Sequence, residues 1–137
     1  MFHSAMVSIA ILMGALPATD QHKELKSVTL RDLAAGDRLE LQAAKYVLRL
    51  DIVNPATGEA MASLSYDGVK FGEVDRVFVL GATRGRHPEG LMIVNMGRLE
   101  VGKGVELAVH TMDAADRLIT DPVQSFRVLR KSTPSQR

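Results

Sequence analysis

From Leu39 onward the chain alternates apolar and polar residues with a period of two, and that rhythm narrows its fold more than any other feature. Leu39 and Leu41 stand between Arg38, Glu40 and Gln42; Tyr46, Leu48, Leu50 and Ile52 alternate with Val47, Arg49, Asp51 and Val53. Val105, Leu107 and Val109 alternate in the same way with Glu106, Ala108 and His110. Successive side chains of a strand point to opposite faces, so this pattern describes half-buried strands and sets His110 and Glu106 together on an outer face. Turn residues punctuate the pattern at Gly36-Asp37, Asn54-Pro-Ala-Thr-Gly58, Tyr66-Asp-Gly68, Gly102-Lys-Gly104 and Asp121-Pro122. Glycine there supplies a positive φ and proline pre-sets φ, so each cluster ends a strand with a physical cause.

Strands are expected at 38–43, 45–53, 59–65, 75–81, 91–95, 105–111 and 124–129, with shorter extended pieces at 27–31, 69–71, 98–101 and 117–120. Short strands at this spacing predict an all-β fold, a small antiparallel barrel or sandwich of about seven or eight strands. With 137 residues the chain is long enough for one domain and one core. The expected division is an apolar N-terminal segment over 1–24, a β domain over 25–130 and a basic tail over 131–137.

Two runs are apolar on both faces: Val77, Phe78, Val79 and Leu80, and Leu91, Met92, Ile93 and Val94. They read either as central strands covered on the outside or as an interface. The N-terminal segment adds a third, the apolar run from Ala5 to Leu16, which is too short to span a bilayer. Either residues 1–18 act as a secretory signal, although no Lys or Arg precedes the run, or the segment is an apolar helix packed on the domain or on a partner. The second alternative predicts a cytoplasmic protein and an oligomer; the first, a secreted one.

Charge and composition exclude several functions. Seventeen basic residues against sixteen acidic give a net charge of +1, far from the excess that general phosphate neutralisation requires. Six aromatic residues and no Trp argue against base-stacking platforms, and the absence of cysteine removes thiol nucleophiles and thiolate metal sites. No nucleic-acid partner, cofactor or metal is expected.

The block from Tyr46 to Leu129 contains Asn54-Pro-Ala-Thr-Gly58, Val77-Phe-Val-Leu-Gly81, Gly97-Arg-Leu-Glu-Val-Gly102, Val105-Glu-Leu107 and the closing Ile119-Thr-Asp-Pro-Val-Gln-Ser125. It resembles an uncharacterised family of small all-β bacterial domains that end in a Thr-x-Pro-Val-x-Ser-like strand. The resemblance implies a self-contained β domain and transfers no catalytic residue. The chain departs from that pattern at Arg84, Arg86 and His87, where small, glycine-rich residues are usual.

Gly97-Arg-Leu-Glu-Val-Gly-Lys-Gly104 fits a phosphate-loop spacing, yet Gly104 is not the Ser or Thr that holds magnesium, and a strand-like Val-Glu-Leu-Ala-Val follows instead of a helix. The expected structure there is two extended segments joined by a turn. His3, His22, His87 and His110 show no ligand spacing, and Ser27, Ser63, Ser65 and Ser125 sit in no nucleophile elbow. Ser63 and Ser65 share one strand face and read as a polar outer surface, while Asp113 and Asp116 read as turn residues.

The connection Gly81-Ala-Thr-Arg-Gly-Arg-His-Pro-Glu-Gly90 is longer than the usual hairpin loop and gathers Arg84, Arg86 and His87 against Glu89. Those three residues are the anion-binding candidates. The expected function is a non-enzymatic binding or assembly module acting through protein contacts of the apolar strands and N-terminus, with a protein partner or a second copy. The alternative is an anion- or nucleic-acid-backbone-binding module that uses the Arg84, Arg86 and His87 loop.

Overall fold

The computed structural model describes residues 22–86 and 92–130. Eleven strands follow in chain order: β1 (His22–Leu25), β2 (Ser27–Thr29), β3 (Arg38–Gln42), β4 (Val47–Asn54), β5 (Glu59–Ser65) and β6 (Asp75–Arg86). After them come β7 (Met92–Met96), β8 (Arg98–Glu100), β9 (Gly104–Val109), β10 (Arg117–Ile119) and β11 (Ser125–Leu129). Single 3₁₀ turns occupy Leu30–Asp32 and Ala114–Asp116.

Nine of the strands form one antiparallel sheet in the order β1-β11-β3-β4-β5-β6-β9-β10, with β7 also on β6; β2 and β8 pair separately. The all-β expectation holds, but the sheet is not a closed barrel. Among the described residues β1 and β10 are its end strands. The segment 120–124 partly spans the gap instead. Thr120 N donates to Val105 O at 3.0 Å and Val123 N to Lys103 O at 3.1 Å, while Gln124 N reaches Gln42 O at 2.7 Å. Asp121 N donates to the Tyr46 hydroxyl at 2.8 Å. Pro122 has no N–H to give a ladder, which is why this stretch crosses between β9 and β3 rather than continuing as a strand.

The alternation read from the sequence places the core. Leu39, Leu41, Leu48, Leu50 and Ile52 are buried together with Val77, Val79, Val105, Leu107, Phe126 and Val128. Val28 of β2 and Leu99 of β8 join the same cluster, so the small ribbon packs on the large sheet. The outer face of β3, β4 and β11 is laced by ion pairs: Arg38 to Asp51 at 2.7 Å, and Arg49 and Arg127 to Glu40 at 3.0 and 3.8 Å.

Two turns show why their residues are needed. Gly36 has φ of 95° and opens a turn closed by buried Asp37, whose carboxylate accepts from Ala34 N at 2.8 Å and pairs with Arg130 at 2.9 Å. At Gly58 φ is 83°, and an added Cβ would lie 2.3 Å from the Val79 carbonyl oxygen. Val79 N donates to Gly58 O at 2.8 Å, so that close approach is part of how β6 is seated.

Several local expectations are corrected. β1 runs across the boundary expected between 24 and 25, and 69–71 forms no strand. The 1–21 stretch, with its expected helix, and the tail 131–137 lie outside the described residues. Ser63 and Ser65 are buried rather than outward, Ser65 Oγ donating to Asp67 at 2.9 Å and accepting from Gly68 N at 2.8 Å. Glu106 is not a surface partner of His110. It is 0 % exposed and paired with Arg117 at 2.8 Å, because β9 is covered on both faces. The 97–104 stretch forms β8, a turn and the start of β9.

Candidate functional site

β6 is the element around which the candidate sites are built. It runs twelve residues. β9 flanks it from Val77 to Thr83, whereas β5 pairs only with Asp75 to Phe78 and β7 only with Gly81 to Arg86. The register shifts between Val79 and Gly81, a bulge at which two β6 residues face Glu106. Gly81 is required here because an added Cβ would lie 2.0 Å from Asn95 O.

β5 runs on to Ser65 beyond the β6 pairing, which ends at Ala62, and there the sheet opens into a cleft of about 720 Å³. Leu48, Ala62, Val77 and Leu107 form its floor and belong to the core. One lip is the strap between β5 and β6, with Tyr66, Phe71 and Glu73; the other is Leu118 and Ile119 of β10. The strap is fixed by Asp67, whose carboxylate accepts from Val69 N and Lys70 N at 2.8 and 2.9 Å. Those backbone donors, Lys70 first and then Val69, with the Ser65 hydroxyl, hold the Asp67 carboxyl below its ordinary range. Gly72 N donates to Leu64 O at 2.9 Å, and the Arg49 guanidinium sits 3.6 Å from the Phe71 ring centre. Tyr46 meets Tyr66 edge to face at 6.3 Å.

Apolar exposure is concentrated here. Leu64, Tyr66, Leu118 and Ile119 line the cleft and are all exposed, Leu118 by 58 % and Tyr66 by 77 %. Val69 and Val74 of the strap are exposed as well. The charged residues at the cleft are unbalanced. Lys70, Glu73 and Asp75 line it, which sets two carboxylates against one ammonium. The Glu73 and Asp75 side chains make no ion pair or hydrogen bond among the described residues.

The anion candidates are placed differently from the expectation. The strands extend into the Gly81–Gly90 connection as far as Arg86, and β7 resumes at Met92, so the connection is shorter than its composition suggested. Arg84 is exposed and lines a shallow groove of about 450 Å³ with Lys103, Thr120 and Asp121. Lys103 is held by Glu100 at 2.9 Å and pulls the Glu100 carboxyl below its ordinary range. Two cations there face two carboxylates, so the groove has no surplus of positive charge. Arg86 ends β6, and His87 lies outside the described residues.

Of the interface candidates, Val77, Val79 and Leu80 are buried and Phe78 is half-buried. Met92, Ile93 and Val94 belong to β7, and Leu91 lies outside the described residues. Among the described residues no three His, Asp or Glu side chains are grouped to hold a metal ion, and no helix is long and apolar enough to cross a membrane.

The cleft was not foreseen. Its signal in the sequence was the set of apolar residues Val69, Phe71 and Val74 within a turn-rich stretch, together with Leu118-Ile119 before Asp121-Pro122. No family model, no curated protein and no solved structure matches the chain.

Proposed function

We propose that the protein is a non-enzymatic binding module whose working surface is the apolar cleft at the open end of its sheet, and that its occupant is an apolar segment of a partner protein. The observation that carries this reading is the collection of exposed Leu64, Tyr66, Leu118 and Ile119 around a floor of core residues. Contiguous exposed apolar surface costs solvation free energy, about 25 cal/mol for each Å² left in water, and in soluble proteins it marks a place that is covered in use. The cleft volume lies in the range of specific binding sites, and its position at the mouth of a curled sheet is a common one for them. The cleft is favoured over the Val77–Leu80 strand as the working surface because Val77, Val79 and Leu80 are buried and Phe78 is half-buried, whereas the cleft lips are exposed.

The test is an NMR titration of the labelled protein with a short, end-blocked peptide alternating valine and serine. Resonances of Ala62, Val77, Val109 and Leu118 are expected to shift together, and Leu118→Asp to abolish the response. Shifts confined to other faces, or none at millimolar peptide, would refute the assignment.

A further inference from the structure

We infer that the occupant of the cleft is an extended, basic-flanked apolar strand that adds to the free edge of β10. This rests on the reading of the cleft as a binding site and names its partner chemistry. Two independent observations carry it. The first is backbone geometry. Among the described residues β10 is paired on one side only, by β9, and its Leu118 and Ile119 form one lip of the cleft. A chain laid along that edge forms main-chain hydrogen bonds with β10 and directs every second side chain toward one face, which here is the cleft. A helix offers no free backbone groups to the edge, so an extended segment is the form of partner that uses both features.

The second observation is charge. The charged residues that line the cleft are Glu73, Asp75 and Lys70, two carboxylates against one ammonium. Glu73 and Asp75 have no cationic partner among the described residues, in contrast to Glu40, Asp51 and Glu59, which are all ion-paired. Surplus negative charge around an apolar floor favours an apolar ligand that carries Lys or Arg at its ends and repels one that carries Glu.

The experiment uses the full chain and four fluorescein-labelled peptides with one valine-serine core, read by anisotropy. One peptide carries lysine at both ends, one glutamate, one serine, and one is the lysine peptide with its backbone amides N-methylated on the edge-facing side. The lysine peptide is expected to bind about tenfold tighter than the glutamate peptide at low salt, with the gap closing as salt rises past the screening range. Glu73→Gln with Asp75→Asn should shrink that gap, and N-methylation should abolish binding. Equal affinities for the lysine, serine and glutamate peptides overturn the charge preference while the cleft reading stands. Full binding by the N-methylated peptide overturns strand addition. No binding by the lysine and serine peptides overturns the cleft reading itself.

Discussion

Removing Arg117 tests how the protein tolerates a carboxylate inside its sheet. Glu106 is 0 % exposed, whereas the Arg117 side chain is 29 % exposed. Arg117 Nη1 donates to Glu106 Oε2 at 2.8 Å and Nη2 donates to the Met112 carbonyl at 2.9 Å. Glu106 Oε1 and Arg117 Nε are buried with no hydrogen-bond partner, so the pair meets through one hydrogen bond rather than the two of a guanidinium fork. In Arg117→Ala the carboxylate keeps its burial and loses the cation it is paired with. Breaking a buried pair in this way costs about 3–5 kcal/mol, and the partial solvation of Arg117 places the expected loss near the lower end, about 3 kcal/mol. For a domain of this size that corresponds to a fall in Tm of roughly 10 °C. Urea unfolding followed by far-UV circular dichroism measures it, with the slope unchanged. The double variant Glu106→Leu with Arg117→Leu should recover most of the loss, because an apolar pair leaves no charge to desolvate. A single variant within about 0.5 kcal/mol of the parent, or a double variant no more stable than the single one, would refute the reasoning.

Three further outcomes follow from the described geometry. Gly58→Ala should cost more than about 2 kcal/mol, since φ of 83° alone costs about 1–2 kcal/mol for a residue with a Cβ and that Cβ meets the Val79 carbonyl oxygen; thermal unfolding by circular dichroism checks it. The Asp67 carboxyl has a lowered folded pKa, so its stabilisation of the strap is present above the ordinary carboxylate range and lost as pH falls through the folded value. NMR titration should place its midpoint below that of a free aspartate, and the hydrogen-exchange protection of the Val69 and Lys70 amides, relative to their intrinsic rates at each pH, should fall as Asp67 is protonated. Inorganic phosphate at about ten millimolar should leave the Arg84 and Lys103 resonances unmoved, because Glu100 and Asp121 balance the charge of the groove.

The sheet faces were legible in the sequence because side-chain direction along a strand is a local property. Leu39 and Leu41, Leu48 to Ile52, and Val105 and Leu107 all point where the alternation placed them. Glu106 and Ser65 broke the rule: each is polar and outward by pattern but buried in the fold. Their covering comes from elsewhere in three dimensions, as with the Asp67 strap that folds onto Ser65. The arginines of the 81–90 connection form a local cluster of charge in the sequence, whereas the structure sets Arg84 in a groove with Lys103 and Asp121, and Asp121 and the Glu100 paired with Lys103 offset the two cations. The cleft is not legible in the sequence for the same reason, since its lips come from residues 46, 64–73 and 118–120.

The sequence by itself determined that this chain is all-β, which side of each main strand is apolar and where most turns fall, because each follows from backbone preferences within a few residues. Only the tertiary structure decided that the sheet stays open, that β10 is paired on one side only among the described residues and lies beside an apolar cleft, and that Glu106 is paired inside with Arg117. Those depend on strand order and register between distant segments, which a period of two does not encode.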